Sequence, residues 1–491
     1  MKPNTCKYRF RLNTDGPHHS LARFSLIMLS SGLLSACAVG PDYQTPYQEL
    51  PASFANAPQP VFSDQAVEIS WWKSFNDAQL IALVDQTLQH NFELKAARAN
   101  LAEARALYLE TGLNLLPTVT AHANYNEQKR SAGSLNNRAF VPRELKLYNT
   151  GFDAAWEIDF FGRVRRNVEA SKDEVQAMDA SLRDVCVSLI AEVALNYFEL
   201  RGLQNQLAVA QQNADNQSQT LELTQVKVEN GRGTELDTAR ALAQLETTRA
   251  FIPSIKSAIM RAMHRLSVLT GQLPAALTDN LTQPQPLPRA PDTLQIGNPE
   301  QLLKRRPDIR VAESNLAAAT ARIGVATADL FPRVTFVGSI SLEASTMSAI
   351  VAPGSDTYSV GPKISWAALD LGRVYARIKA ADAHAESSLA NYEQTVLNAL
   401  EETENALVTY NQERNRRALL VNAAKASEKA RELAQLRYRE GIEDFLSVLD
   451  SESRVLQIQS QLAQSETATA TALTAVYKAL GGGWQVLEVE K

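Results

Sequence analysis

Two runs of about 68 residues, Arg163 to Asn230 and Arg373 to Glu440, contain no proline and read as continuous helix. At about 1.5 Å per residue each would reach about 100 Å, longer than a small globular core can cover. Helical stability in proteins comes mainly from packing an apolar face, so these stripes must meet other helices. Between Leu389 and Tyr410 the apolar or small positions fall at 389, 392, 396, 399, 403, 406 and 410, a 3,4 spacing, and Leu397, Leu400 and Leu407 form a second line beside them. A two-stranded coiled coil needs one seam. Two adjacent seams suit a curved wall in which every helix touches a neighbour on each side.

Each long run ends at a glycine. "VENGRGTELDTAR" (Val228 to Arg240) breaks at Gly231, and "YREGIEDFLSVLDSESR" (Tyr438 to Arg454) breaks at Gly441, 210 residues later. Return helices are expected over Thr234 to Thr270 and Phe445 to Leu480, about half the length of the outgoing ones. Pro253 is expected to kink the first of them or mark an end. Asp77 to His90, Phe92 to Leu115 and the equivalent second-half helix would make up the missing height.

The 210-residue offset recurs. Trp156 maps on Trp366 and Gly162 on Gly372, while "LLPTVT" at Leu115 matches "LFPRVT" at Leu330 with Pro117 and Pro332 offset by 215. Order and spacing preserved at four landmarks indicate an internal duplication. Each half has one grammar: a helix stopping before a proline (Phe92 to Leu115, Pro307 to Leu330), two strands, and a long helical hairpin. The boundaries are a leader at 1–36, a tether at 37–73, a first repeat at 74–282, a Pro-rich linker at 283–298, a second repeat at 299–480 and a tail at 481–491.

The strands alternate with period 2. Tyr148, Thr150, Phe152, Ala154, Trp156, Ile158 and Phe160 share one face, with Asn149, Gly151, Asp153, Ala155, Glu157 and Asp159 on the other. Tyr358, Val360, Ile364 and Trp366 likewise oppose Ser359, Gly361, Lys363 and Ser365. Apolar outside, polar inside and aromatics near the ends is the pattern of a membrane β-barrel strand. Alternation alone equally allows a periplasmic sheet packed on helices. Four strands cannot close a barrel, since the smallest have about eight, so a membrane barrel would need several chains. No stretch after residue 36 has the roughly 18 consecutive apolar residues of a transmembrane helix.

Lys2, Lys7, Arg9, Arg11 and Arg23 precede an apolar run, Phe24 to Leu34, too short to span a bilayer. It ends in Leu34-Ser35-Ala36-Cys37, which looks like a bacterial lipobox; an ordinary signal peptide with a chance cysteine is the alternative. The resemblance implies cleavage before Cys37, an S-diacylglycerol on its thiol and an N-acyl (palmitate) chain on its amine. Two or three acyl chains anchor where one does not, and Ala38 after the cysteine, by resemblance to bacterial lipoproteins, implies passage to the outer membrane. Cys6 leaves with the leader and Cys186 is alone, so no disulfide is available. The net charge of −5 becomes more acidic once the basic leader is gone, which argues against nucleic acid as a partner.

Chemistry is not legible. His90, His122, His264 and His384 have no metal-ligand spacing, there is no GxSxG, P-loop or HExxH, and Glu401 with Glu402 reads as a solvated helix face. Nothing suggests an enzyme or a cofactor other than the covalent lipid.

"RRPDIRVAESNLAAATARIGVATADLFP" (Arg305 to Pro332), "YREGIEDFLSVLD" (Tyr438) and "YKALGGGW" (Tyr477) resemble the outer membrane factor, or TolC, family and its lipidated OprM/NodT-like branch. The resemblance spans essentially the whole chain after Cys37. It implies an α plus membrane β fold, internally duplicated and TolC-like. In a homotrimer, four strands per chain form one 12-stranded outer-membrane barrel, continuous with a long α-helical barrel in the periplasm. It implies a passive channel of a tripartite efflux or export system that works with a periplasmic adaptor (membrane fusion protein) and an inner-membrane transporter of the RND type.

Carried over by position, Gly231 and Gly441 mark the hairpins where adaptors dock, Leu446 and Asp450 the constriction, and Asp237 with Tyr438 an interhelix latch. Three copies of Asp450 would form a carboxylate ring, as in cation-selective pores. Ser447 stands where some members carry another aspartate, and Glu443 where they carry a basic latch residue; Arg232, Arg240 and Arg454 are the candidate substitutes. The rival readings are a lipoprotein scaffold without a pore and an envelope hydrolase.

Overall fold

The computed structural model describes residues 38–131, 133, 142–288, 290–291 and 293–489. Its main elements are α1 (Ala78–His90), α2 (Phe92–Leu113), β1 (Thr118–Lys129), β2 (Glu144–Ile158), α3 (Arg163–Glu229), α4 (Glu235–Leu269), α5 (Pro299–Arg305), α6 (Pro307–Ala328), β3 (Arg333–Ala344), β4 (Asp356–Ser365), α7 (Leu371–Arg439) and α8 (Phe445–Ala479). The chain divides into two compact units. Among the described residues no helix is long and apolar enough to cross a membrane.

The first unit, built mainly from Leu109–Ser171 and Ala319–Ala385, holds the sheet. All neighbours are antiparallel, in the order β1-β2-β3-β4, so β1 and β4 are edges. Phe152, Ile340 and Tyr358 lie in one cross-strand row and are 62%, 71% and 82% exposed. Bare aromatic and β-branched rows of this size belong against lipid or another chain rather than water.

The opposite face is a hydrogen-bonded polar line. His122 (β1) presents its two ring nitrogens to Asp153 at 2.8 Å and Asn149 at 2.5 Å on β2. Asn149 donates to Ser341 on β3 at 3.5 Å, and Ser341 meets Thr357 on β4 at 2.8 Å. Gly151 lies in register between His122 and Ser341. A Cβ there would meet the Ile340 carbonyl oxygen and Ser341 Cβ, the latter at 2.5 Å, so only glycine fits.

The duplication is visible in hydrogen bonds. Trp156 Nε1 donates to Leu115 O at 3.0 Å and Trp366 Nε1 to Leu330 O at 3.0 Å. Each indole thus holds the end of its repeat's helix to its strand pair. Both tryptophans are exposed, 40% and 55%, at the strand ends. Phe161 and Phe331 stack at 4.4 Å between the repeats.

The second unit, Gln44–Tyr108, Lys172–Ala318 and Glu386–Lys491, contains the main core. Trp71 stacks on Tyr477 at 4.9 Å, and Trp72, Phe75, Leu80, Tyr197, Phe198, Leu266 and Leu473 are buried around them. The expected seam of α7 is buried at Tyr392, Val396, Ala399, Thr403, Ala406 and Tyr410. On the second line Leu407 is buried, while Leu397 is 61% exposed.

One difference from the sequence reading has a physical cause, and one open alternative is narrowed. The segment assigned to the tether folds into this unit from Phe54 onward: Phe54, Val61, Trp71 and Trp72 are buried, and Phe62–Ser63 pairs in parallel with Leu294–Gln295. Aromatic side chains of this size gain too much from burial to stay extended in water. Pro253 does not end α4, which runs through it. It sits on an exposed face, where water can take up the carbonyl it frees, and Ser254 donates to Phe251 O beside it.

Candidate functional site at the hairpin tips

The two glycine breaks have one backbone. At the end of α3, Gly231 N donates to Val228 O (2.9 Å) and Arg232 N to Lys227 O (2.8 Å); at the end of α7, Gly441 N donates to Tyr438 O (3.1 Å) and Ile442 N to Arg437 O (2.9 Å). This pair of bonds is a Schellman ending. It needs a left-handed residue, and Gly231 (φ 71°) and Gly441 (φ 74°) supply it. The return helices start alike, with Thr234 accepting from Asp237 N and Asp444 from Ser447 N as N-caps.

Between the hairpins lies a small apolar cluster. Ala241 (α4), Tyr438 (α7), Phe445 and Val448 (α8) are buried, with Leu221 and Leu223 of α3 packed against them, and the Tyr438 and Phe445 rings are 5.5 Å apart. These residues define one face of α8. Leu446, 53% exposed, and Asp450, also exposed, are one turn apart on the other. Ser447 is half-buried, donating to Glu443 at 2.9 Å.

Tyr438 is buried, and its phenol is pushed up by burial and by the nearby Asp237 charge. Among the described residues its hydroxyl makes no hydrogen bond; the Asp237 carboxylate instead accepts from Thr234 Oγ1 at 2.8 Å. Glu443 pairs with Arg437 at 2.7 Å across its own turn. Arg454 donates to Gln457 at 3.3 Å, and Arg232 and Arg240 make no ion pair among the described residues.

Sequence reasoning missed two groups. Lys227 of α3 lies with Nζ 3.7 Å from the Tyr438 ring centroid and donates to Tyr438 O at 2.5 Å. Glu452 of α8 is 3% exposed and accepts from Thr220 of α3 (2.6 Å) and Gln435 of α7 (2.8 Å), with burial raising its pKa above the ordinary carboxylate range. Lys227 could have been noticed as the 210-residue counterpart of Arg437. Nothing local singles out Glu452. Above it, Asn213 donates to Gln459 at 2.8 Å and Asn205 to Glu466 at 3.3 Å, so the α3–α8 seam is a polar ladder. Cys37 lies outside the described residues.

The arrangement has exposed polar and apolar side chains on one helix face, two glycine-ended hairpins and a polar seam between them. The family described as "Outer membrane efflux protein" matches residues 83–272 and 298–482, one segment in each repeat. Nodulation protein T of Rhizobium leguminosarum bv. trifolii is 31% identical, covering 92% of this chain and 96% of that protein. Outer membrane protein OprJ of Pseudomonas aeruginosa is also 31% identical over 92% of this chain and 94% of its own length. The solved outer-membrane channel OprN superposes with a TM-score of 0.86 at 42% identity, over 91% of this chain and all of that one. With both repeats matched and the fold shared over 91% of its length, the chain belongs to the outer membrane efflux protein family.

Proposed function

We propose that three copies of this chain form the outer-membrane duct of a tripartite efflux or export system, closed at its periplasmic end by the α7–α8 hairpins. The observation that carries the gate is the exposed pair Leu446 and Asp450 on α8, opposite the buried Phe445, Val448 and Glu452. Around a threefold axis that pair gives an apolar ring and a carboxylate ring one helical turn apart. The unpaired edges of β1 and β4 are where neighbouring chains would complete a 12-stranded barrel. The exposed turns at Gly231 and Gly441 offer the docking points for a periplasmic adaptor, which links the duct to an RND-type inner-membrane transporter. Asp237 acts beside Tyr438 through its charge. Cys37 carries the N-acyl and S-diacylglycerol lipid that holds the chain at the outer membrane.

The duct is passive, and adaptor contacts open it by favouring the state with hairpins apart. Cargo choice rests with the transporter. Planar-bilayer recordings of the purified channel test the gate: Leu446→Ala with Asp450→Ala is expected to conduct more than wild type. Unchanged conductance would remove the gate assignment.

A further inference from the structure

We infer that Lys227 is the tie between the two hairpins of each chain, clamping Tyr438 by its ring and its main-chain carbonyl, and that opening requires this clamp to release. The inference rests on the hairpin-gate reading above. Tyr438 O lies in the last turn of α7 and already accepts from Gly441 N. Lys227 Nζ takes its second acceptor site at 2.5 Å, placing a cation where the helix dipole is negative. The same ammonium is 3.7 Å from the ring centroid, within cation–π range.

The main chain of Lys227 contributes as well. Its carbonyl accepts from Arg232 N in the Schellman ending of α3. One residue therefore finishes the first hairpin with its backbone and holds the second with its side chain. Movement of either tip is felt at the other.

The duplication does not reproduce this tie. Arg437 is the counterpart of Lys227, but it is turned to Glu443, and Val228 stands where the second repeat has Tyr438. A valine offers no ring face to a cation. Among the described residues each chain thus carries one such clamp.

The geometry also separates this tie from a phenol latch. The Tyr438 hydroxyl has no hydrogen bond among the described residues, so its removal should matter little, whereas loss of the ring or the cation should matter much. Two readouts on the purified full-length channel test this: hydrogen exchange in peptides covering the α7–α8 turn, and bilayer conductance. Lys227→Met and Tyr438→Leu should each raise exchange there by about tenfold or more and increase open time. Tyr438→Phe, which keeps ring and carbonyl, should stay near wild type, and Lys227→Arg, which keeps the cation but not the compact ammonium, should fall between wild type and Lys227→Met.

The tie is overturned if Lys227→Met leaves exchange unchanged, or if Tyr438→Phe opens the channel as much as Tyr438→Leu. If Lys227→Met loosens the turn without changing conductance, its role in opening is overturned. The Leu446 and Asp450 variant reports on the gate separately: increased conductance there with a silent Lys227→Met rejects the tie alone.

Discussion

Replacing Glu452 by alanine should loosen the seam between α3 and α8 far more than replacing it by glutamine. In the protein one carboxylate oxygen accepts from both Thr220 Oγ1 and Gln435 Nε2, so a single side chain joins three helices. Alanine strands both donors, and Thr220 is itself buried. At about 1–3 kcal/mol for each stranded group, the local cost is on the order of 2–4 kcal/mol after partial rehydration, a rise in seam opening of roughly 30- to 1,000-fold. Glutamine keeps an acceptor oxygen for both donors and removes a charge that burial disfavours.

The pH dependence has a definite sign. Burial is the largest influence on Glu452 and raises its pKa in the closed seam, against the hydrogen bonds from Thr220 and Gln435 and the charge of Arg431, which lower it. Arg431 is in turn shared with Glu428 at 2.5 Å. An opened seam hydrates the carboxylate and restores its ordinary value. The contribution from this shift is therefore fully present below the ordinary carboxylate pKa and is lost as pH rises through the raised one. Hydrogen exchange in peptides around Thr220 and Glu452, corrected for intrinsic rates between about pH 5 and 8, should show the seam loosening with rising pH in wild type and no such slope in Glu452→Gln. A seam that tightens with rising pH, or a glutamine variant as loose as alanine, would refute the reasoning and make the charge on Glu452 the anchor.

Gly151→Ala should abolish recovery of folded channel in outer-membrane fractions, since its Cβ would meet the Ile340 carbonyl and Ser341; Gly361→Ala, with nothing within 4 Å, should be recovered normally. Gly441→Ala meets no atoms within 4 Å, so its cost is the left-handed backbone alone, about 1–2 kcal/mol, read as faster exchange at the turn. Cys37→Ser should lose palmitate label in cells and leave the thermal stability of the detergent-purified channel unchanged.

The features legible in the sequence were those written within one element. Period-2 alternation in β2, the proline stops after α2 and α6 and the glycine ends of α3 and α7 depend on neighbours a few residues away. The duplication was legible because its landmarks keep one offset. The tip contacts were not, because Lys227 and Tyr438, or Thr220 and Glu452, are separated by more than 200 residues and meet only after both hairpins form. Glu452 in particular reads as a surface residue in a charged stretch. The segment from Phe54 to Trp72 was misread for the opposite reason: local composition suggested a free tether, while burial decided the outcome; of the two expectations for Pro253, a kink or an end, its exposed position leaves α4 continuous through it.

The open sheet also sets the order in which a channel can come into being. Each protomer carries two unpaired edges, β1 and β4. Joining a second protomer consumes two edges but brings two more, so an incomplete ring exposes as many backbone donors and acceptors as a lone chain. Only the closing step removes them all, and in lipid every exposed backbone group costs several kcal/mol. Partial assemblies therefore gain nothing from entering the bilayer. In the proposed trimer, closure and insertion should behave as one concerted event, steeply dependent on protomer concentration.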